Sequence, residues 1–440
     1  MKKKIFLCTY GCQMNEYDSE LIESILTADG FVLAADIQDA DIILLNTCAV
    51  RNNAERKVFN HIDDIRHELQ GKPVYIGILG CVATHLKEQI IKNKKRKIDF
   101  VVGPDSYRQL PDIIRKVIKE NEKIFDVSLT TKENYEDITP TRKEGINAWV
   151  AVMRGCDNFC TFCVVPYTRG RERSRPMENI LDEVRSLAAK GHPQVTFLGQ
   201  NVNSYHDNQF DFADLLEATS AIEGIKRIRF MSPHPKDYLE KLINVVANNP
   251  KICKHIHLPL QAGNDRILQL MNRGYTKADY LSLVDKLYSH IPGLTLTTDI
   301  IVGFPTETDA DFLDTVEVME KVRFASAFIF KYSERKGTIA AKKYPDDVPE
   351  EKKTERIMKL NDLQKRISFE KNRSWIGKTL PVLVESETIA KGATQFQGRS
   401  DGYVTVVFPP GNYKAGDIVN VTIQEASSHW LKGIHHTPDA

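Results

Sequence analysis

The sequence predicts an α/β protein in three parts: an N-terminal doubly wound parallel-sheet domain, a central partial (β/α)6 barrel and a small C-terminal all-β barrel. Three patterns carry that expectation. Short apolar runs alternate with helix-like polar segments as far as residue 125. The alternation returns six times between Ala148 and Ser333. From Gly377 onward the period becomes two, with Gly, Pro and Asn between the runs.

In the first part, residues 1–125, Lys4–Cys8, Asp41–Asn46, Val74–Leu79 and Asp99–Val102 are apolar enough to be strands buried on both faces. Glu16–Ala28, Ala54–Leu69 and Leu86–Lys92 have helical spacing between them. Residues 126–147 are polar and aperiodic, which predicts a linker. The second part, 148–375, offers strands at Trp149–Met153, Gln194–Leu198, Arg227–Met231, His255–Pro259, Leu294–Ile301 and Ala325–Tyr332. Helical segments separate them: Met177–Lys190, Phe212–Ala221, Lys236–Ala247, Arg266–Met271, Lys277–His290 and Asp309–Val322. A six-fold strand–helix series fits a partial barrel related to the eight-fold one. Residues 350–375 read as one long charged helix. In the third part, 376–440, Leu380–Glu385, Gly402–Val407 and Ile418–Gln424 alternate as strands of a small barrel.

Composition narrows the function classes. The chain has 440 residues, 42% hydrophobic and 27% charged, which excludes a mainly disordered or collagenous protein. A formal net charge of +1 announces no global field for nucleic acid, so any such partner must meet local patches. No apolar run approaches the roughly 18 residues needed to span a bilayer. The opening MKKKIFLCTYGCQMN imitates a signal peptide, but its apolar stretch ends too early. It reads as a first strand, and the expectation is a cytoplasmic protein with no membrane partner. Eight cysteines in a reducing compartment then favour metal or redox chemistry over disulfides.

Cys156, Cys160 and Cys163 stand in RGCDNFCTFC, directly after the first barrel strand, at the end of a barrel where loops carry chemistry. Structural zinc normally takes four protein ligands, and no fourth follows at zinc-finger spacing. Three soft thiolates suit an iron–sulfur cluster with one open iron. Cys12, Cys48 and Cys81 each follow a predicted parallel strand, one strand–helix unit apart, in KIFLCTYGC, DIILLNTC and YIGILGC. In a doubly wound sheet that edge is where ligands bind, so the three can converge. Gly11 and Gly80 precede two of them and permit a close approach. Cys8 and Cys253 lack partners at useful spacing and read as structural thiols.

The C-x3-C-x2-C loop after the first strand of a six-fold series resembles the radical S-adenosylmethionine enzymes. GCQMN, NTCAV and GCVA, then GCDNFCTFCVVPYTRGRERSR and the terminal small barrel, resemble the methylthiotransferases of that superfamily over essentially the whole chain. CVVPYTRG and HLPLQAGNDRILQLMNRGYT favour the members acting on adenosine in tRNA, and the last part resembles the TRAM domain, an RNA-binding module. The resemblance implies two 4Fe–4S clusters, one on each cysteine triplet, and two S-adenosylmethionine molecules per turnover. One would supply a methyl group to sulfur at Cys12, Cys48 and Cys81. The other would supply a deoxyadenosyl radical at Cys156, Cys160 and Cys163. The reaction implied is insertion of sulfur and methyl at carbon 2 of an isopentenylated adenosine at position 37 of tRNA. Its partners would be the tRNA anticodon stem-loop, a reducing electron donor and factors that supply sulfur or rebuild the cluster.

By the same resemblance, Phe162, Gln200, Asn201, Ser232, Gln261 and Gly303 are the candidate contacts of S-adenosylmethionine. Arg169, Arg171, Arg173 and Arg175 crowd the stretch after the cluster loop, where an RNA loop would enter, and are candidate RNA contacts. Lys92–Lys97 reads as a solvated basic face. In the small barrel, Phe396, Arg399 and Tyr403 mix aromatic and basic character as single-stranded RNA surfaces do. Two alternatives stay open. The substrate is a threonylcarbamoyl-adenosine or a ribosomal-protein aspartate, or the protein is a non-catalytic RNA-binding metal protein.

Overall fold

The computed structural model describes residues 2–49, 52–69, 71–92, 97–142, 145–390 and 393–435. At the N-terminus six parallel strands form one sheet: β1 (Lys4–Tyr10), β2 (Val32–Leu33), β3 (Ile42–Thr47), β4 (Tyr75–Gly80), β5 (Phe100–Val102) and β6 (Ile124–Asp126). Their order is β2-β1-β3-β4-β5-β6, so the winding reverses between β1 and β3. Every residue of β3 is buried, because helices cover both faces of the sheet. The helices α2 (Asn52–Glu68), α3 (Cys81–His85) and α4 (Lys87–Lys92) pack on one face. The other face carries α1 (Gln13–Ala28) and α5 (Leu110–Glu120).

Residues 127–142, expected as a linker, carry neither helix nor strand but are laid along the seam between the first two parts. Tyr135 is fully buried there, its hydroxyl donating to the Pro104 carbonyl at 2.9 Å. Arg142 forms ion pairs with Glu20 of α1 and with Glu183 of the central part. Of the basic stretch Lys92–Lys97, residues 93–96 lie outside the described residues.

The central part has six parallel strands in two sheets. β7 (Asn147–Ala151), β10 (Gln194–Leu198) and β13 (Arg227–Phe230) form one. The other contains β14 (His255–His257), β15 (Thr295–Val302) and β16 (Ser326–Lys331). A parallel bridge between Ile228 and Ile252 joins them into an open partial barrel. Two small ladders decorate it, β8 (Met153–Arg154) with β9 (Arg173–Ser174), and β11 (His206–Asp207) with β12 (Phe210–Asp211). The helices are α6 (Val165–Thr168), α7 (Met177–Ala189), α8 (Phe212–Ser220), α9 (Glu240–Asn248), α10 (Asp265–Leu270), α11 (Lys277–His290), α12 (Asp309–Val322), α13 (Ile339–Lys343) and α14 (Glu350–Arg373). The long α14 packs on β16, closing the open edge.

The C-terminal part is a closed five-stranded barrel: β17 (Thr379–Ala390), β18 (Ala393–Ser400), β19 (Thr405–Phe408), β20 (Ile418–Ala426) and β21 (Trp430–His435). It is docked by two buried arginines at the start of β13. Arg227 donates to the carbonyls of Arg399 and Pro381 at 2.6 and 2.9 Å. Arg229 donates to those of Asp401 and Ser400 at 3.0 and 2.8 Å. Among the described residues no helix is long and apolar enough to cross a membrane.

Candidate functional site

The reversal of strand order between β1 and β3 opens a crevice at the carboxyl edge of the first sheet, and Cys12, Cys48 and Cys81 lie there. Cys12 caps α1: its sulfur accepts from the backbone of Asn15, whose side chain returns a bond to the Cys12 amide. Asn15 Nδ2 in turn donates to Asn46 Oδ1 at 3.1 Å, tying the end of β3 to the start of α1. Cys81 opens α3 behind Gly80, which has a φ of +86°. A Cβ at Gly80 would meet the Thr47 carbonyl at 2.6 Å, and one at Gly11 would meet the Cys48 Cβ at 2.7 Å. Both glycines therefore let the strand ends close in. The Cys12 thiol is pulled down to about 6, first by a hydrogen bond with Cys48 and then by the Arg169 guanidinium against the opposing effect of burial. Burial pushes Cys81 up, and Arg169 opposes it, donating Nε–H to the Cys81 sulfur at 3.1 Å.

The second triplet sits in the loop between β8 and α6. Thr161 anchors the loop, its amide donating to the Met271 carbonyl at 3.0 Å and its hydroxyl to Leu270 at 2.8 Å. Arg273 donates to the Cys160 sulfur at 3.2 Å and to the Pro259 carbonyl at 3.3 Å. Burial raises Cys156 to about 11 and Cys163 to about 12, and the three sulfurs are near enough to repel one another as thiolates. Such a site favours a cationic partner that replaces the protons. Among the described residues no three Cys, His, Asp or Glu side chains converge on a point fit for a single metal ion. The donor sets, three thiolates each with an arginine N–H on one sulfur, suit the wider cage of an iron–sulfur cluster better than one zinc ion.

Cys12, Cys48 and Cys81 open into a cavity of about 640 Å³. Its lining also includes Val164, Val165, Thr168 and Arg169, the stretch directly after Cys163. The helices α3 and α6, which start at Cys81 and just after Cys163, pack against each other. Gln200 and Ser232 face the same cavity, Ser232 with a φ of +61°. Asn201, Gln261, Phe162 and Gly303 lie outside its lining. Asn201 is held by Asp237 at 2.8 Å. Phe162 packs in an apolar cluster with Ala262 and Phe304, which brings it beside Gln261 and Gly303. Gly303 has a φ of +71°, donates its amide to Glu307 at 2.6 Å, and lies against the Lys353 stem where any Cβ would collide. Burial raises Glu307 to about 7, and Arg356 of α14 partners it at 2.7 Å. The buried Gln200 Oε1, Asn201 Oδ1 and Gln261 Oε1 lack partners among the described residues. Three orphaned acceptors near the carboxyl ends of barrel strands fit an ammonium- and hydroxyl-rich ligand such as S-adenosylmethionine.

The arginine run takes a different place from the one expected. Arg169 and Arg173 are buried and paired with Asp18 and Asp105 at 2.7 and 2.9 Å. Arg175 is buried and paired with Glu183 at 2.7 Å. Their heads bind carboxylates instead of standing free on the surface, although Arg169 also lines the cavity. Only Arg171 is exposed, over the Phe159 ring and paired with Asp157. Phe396 is also corrected: period-two alternation along β18 turns it into the core of the small barrel, against Phe408. Arg399 and Tyr403 do line the cavity, stacked on each other at 4.3 Å, with Tyr403 also on His255 at 4.9 Å.

Sequence reasoning passed over several groups. Asp18 is fully buried between Arg154 and Arg169, which hold its carboxyl below the usual range against the cost of burial. His255 and His257 line the cavity, both bonded to the Thr297 hydroxyl, at 3.1 and 3.0 Å, and His257 also meets Asp299 at 3.1 Å. The alternating HIH and TLTTD stretches on neighbouring strands were the available signal.

Comparison with known proteins identifies the three parts. Residues 150–319 match the radical SAM superfamily, residues 4–103 the family described as uncharacterized protein family UPF0004, and residues 373–434 the TRAM domain. Among solved structures, the radical S-adenosylmethionine methyltransferase TsrM from Kitasatospora setae is similar, with a TM-score of 0.57 at 14% identity, over 78% of this chain and 74% of that one. The cobalamin-dependent S-adenosylmethionine radical enzyme OxsB, with aqua-cobalamin and S-adenosylmethionine bound, has a TM-score of 0.54 at 14% identity, over 82% of this chain and 56% of that one. These likenesses concern the fold. Proteins named tRNA-2-methylthio-N(6)-dimethylallyladenosine synthase are similar along nearly the whole length. The one from Prosthecochloris aestuarii is 45% identical over 98% of both chains. That from Chloroherpeton thalassium is 46% identical over 98% of this chain and 96% of its own. With such identity end to end, and with all three domains matched, the chain belongs to the family of the tRNA-2-methylthio-N(6)-dimethylallyladenosine synthases.

Proposed function

We propose that this protein inserts sulfur and methyl at carbon 2 of an N6-isopentenylated adenosine at position 37 of tRNA. The observation that carries the reading is one cavity lined by Cys12, Cys48 and Cys81, by Gln200 and Ser232, and by Val164 and Val165, the residues directly after Cys163. Cys156, Cys160 and Cys163 would hold a 4Fe–4S cluster, and Cys12, Cys48 and Cys81 a second. Bound there with S-adenosylmethionine, such clusters supply one-electron chemistry, which an aromatic C–H carbon needs because it has neither an acidic proton nor a leaving group. Gln200, Asn201 and Gln261 would hold polar groups of S-adenosylmethionine with their orphaned acceptors, while Phe162 and the Gly303 turn supply an apolar wall.

The target base must leave the anticodon-loop stack to reach this interior. Val164, Val165, Leu198, Met231, Phe328 and Phe330 give the cavity an apolar wall suited to an isopentenyl tail. Arg399 of the lining already faces Glu385, which disfavours a threonylcarbamoyl carboxylate at that wall. Electron donor and sulfur-supplying factors complete the proposal as partners.

Anaerobic product analysis with stem-loops bearing either modification tests the reading. Methylthiolation of the isopentenylated stem-loop is expected; turnover of the threonylcarbamoylated one alone would overturn it. Reconstituted protein should carry about eight irons with matching sulfide. Cys156→Ala should abolish deoxyadenosine release, whereas Cys12→Ala should spare it and block thiolation.

A further inference from the structure

Arg169 belongs to the central domain, yet its guanidinium ends among the cysteines of the N-terminal sheet. Nε donates to the Cys81 sulfur at 3.1 Å, and Nη2 donates to Asp18 Oδ2 at 2.7 Å. Nη1 is buried without an acceptor among the described residues, on a side chain that lines the cavity. Arg154 holds the other Asp18 oxygen at 2.8 Å. The group thus carries two cations and one anion, packed against the thiol site and shielded from water.

From this arrangement we infer that Arg169 is a positioning residue of the Cys12–Cys48–Cys81 site, supplied by the neighbouring domain: it orients the Cys81 sulfur and sets the reduction potential of the cluster held there. The inference rests on the reading that this triplet holds an iron–sulfur cluster. A reduced cluster carries one more negative charge than an oxidised one. An N–H bonded to a ligating sulfur and a desolvated guanidinium therefore stabilise the reduced form, raising the potential. Asp18 opposes that field while fixing the fork of Arg169. The free Nη1 completes the case, because an anionic cage in the cavity provides the acceptor it lacks. Arg273, bonded to Cys160 at 3.2 Å, stands in the same relation to the other triplet and serves as the control.

The test uses the full chain with Cys156, Cys160 and Cys163 all changed to Ala, so that one cluster remains, followed by anaerobic redox titration with EPR detection. Arg169→Met should lower the midpoint potential, Arg169→Lys should lower it less because it keeps the charge, and Asp18→Asn should raise it. Arg273→Met should leave it unchanged. A role in folding alone would not give shifts of opposite sign. Should Asp18→Asn fail to fold, the order of wild type, Lys and Met still decides. Four irons per chain with one potential across all variants would overturn the inference alone. A background protein that takes up no iron and sulfide would overturn the cluster reading and the inference with it.

Discussion

Arg175 shows what residue chemistry alone leaves undecided. Its guanidinium pairs with Glu183, donates to the Ala151 carbonyl at 2.8 Å and reaches the Tyr17 hydroxyl at 3.2 Å, all away from solvent. Its loss leaves Glu183 to Arg142 alone and the buried Ala151 carbonyl without this donor, so Arg175→Ala should cost about 2–4 kcal/mol in denaturant unfolding. Stem-loop affinity per folded molecule should stay unchanged. Arg171→Ala, on an exposed side chain, should change stability by no more than about 0.5 kcal/mol. His234 gives a pH dependence. Burial, reinforced by Arg273 and Lys236, pushes it down from 6.5 to about 2. The unfolded chain therefore takes up this proton first: stability is whole above pH 6.5 and falls as the pH drops below it. The slope is about 1.4 kcal/mol per pH unit for one such histidine. Denaturation of the wild type and His234→Gln between pH 7 and 5 should show the variant losing less by that amount.

At the scale of elements, period and composition reveal the strands and helices whose burial repeats regularly. All six central strands and four strands of the first sheet fall where apolar runs predict them, and α14 falls in the long charged stretch. In the small barrel β18 and β21 escaped, because their inward positions include Gly398 and Gly433. A Cβ at either would strike the neighbouring strand, so the tight closure of the barrel removes the side chains that would have marked the alternation. Gly303 ties a loop to a helix in the same way. Its left-handed backbone and the Lys353 stem against it leave no room for a methyl group. Gly303→Ala should destabilise the protein by about 1–3 kcal/mol, read as a lower melting temperature.

In the whole molecule, charge rather than apolar area marks the seams. Asp18 with Arg154 and Arg169, Asp105 with Arg173, and Arg142 with Glu20 and Glu183 join the first sheet to the central barrel. A small apolar cluster of Met14, Tyr17, Ala151 and Leu198 lies among them, and Val164 packs into the core of the first sheet. Buried pairs of this kind fix orientation, since a displaced partner leaves a charge without water or counter-ion. The small barrel hangs on Arg227 and Arg229, which bond backbone carbonyls and so depend on its shape more than its sequence. Arg227→Ala with Arg229→Ala should free it. Limited proteolysis would then cut between α14 and β17, while the rest of the chain keeps its melting temperature.

The sequence by itself determined the three-part architecture and the placing of six cysteines at strand ends and in one loop, because strand ends, helical periods and C-x3-C-x2-C spacing are local properties of a chain. Only the tertiary structure decided which arginines face carboxylates and which face the cavity. Arg169, Arg171, Arg173 and Arg175 look alike along the chain, yet Arg169 and Arg173 are buried against acids of the first domain, Arg175 is buried against nearby Glu183, and Arg171 stays exposed beside Asp157. A charge can be buried only where folding brings it a partner, and no local pattern records that meeting.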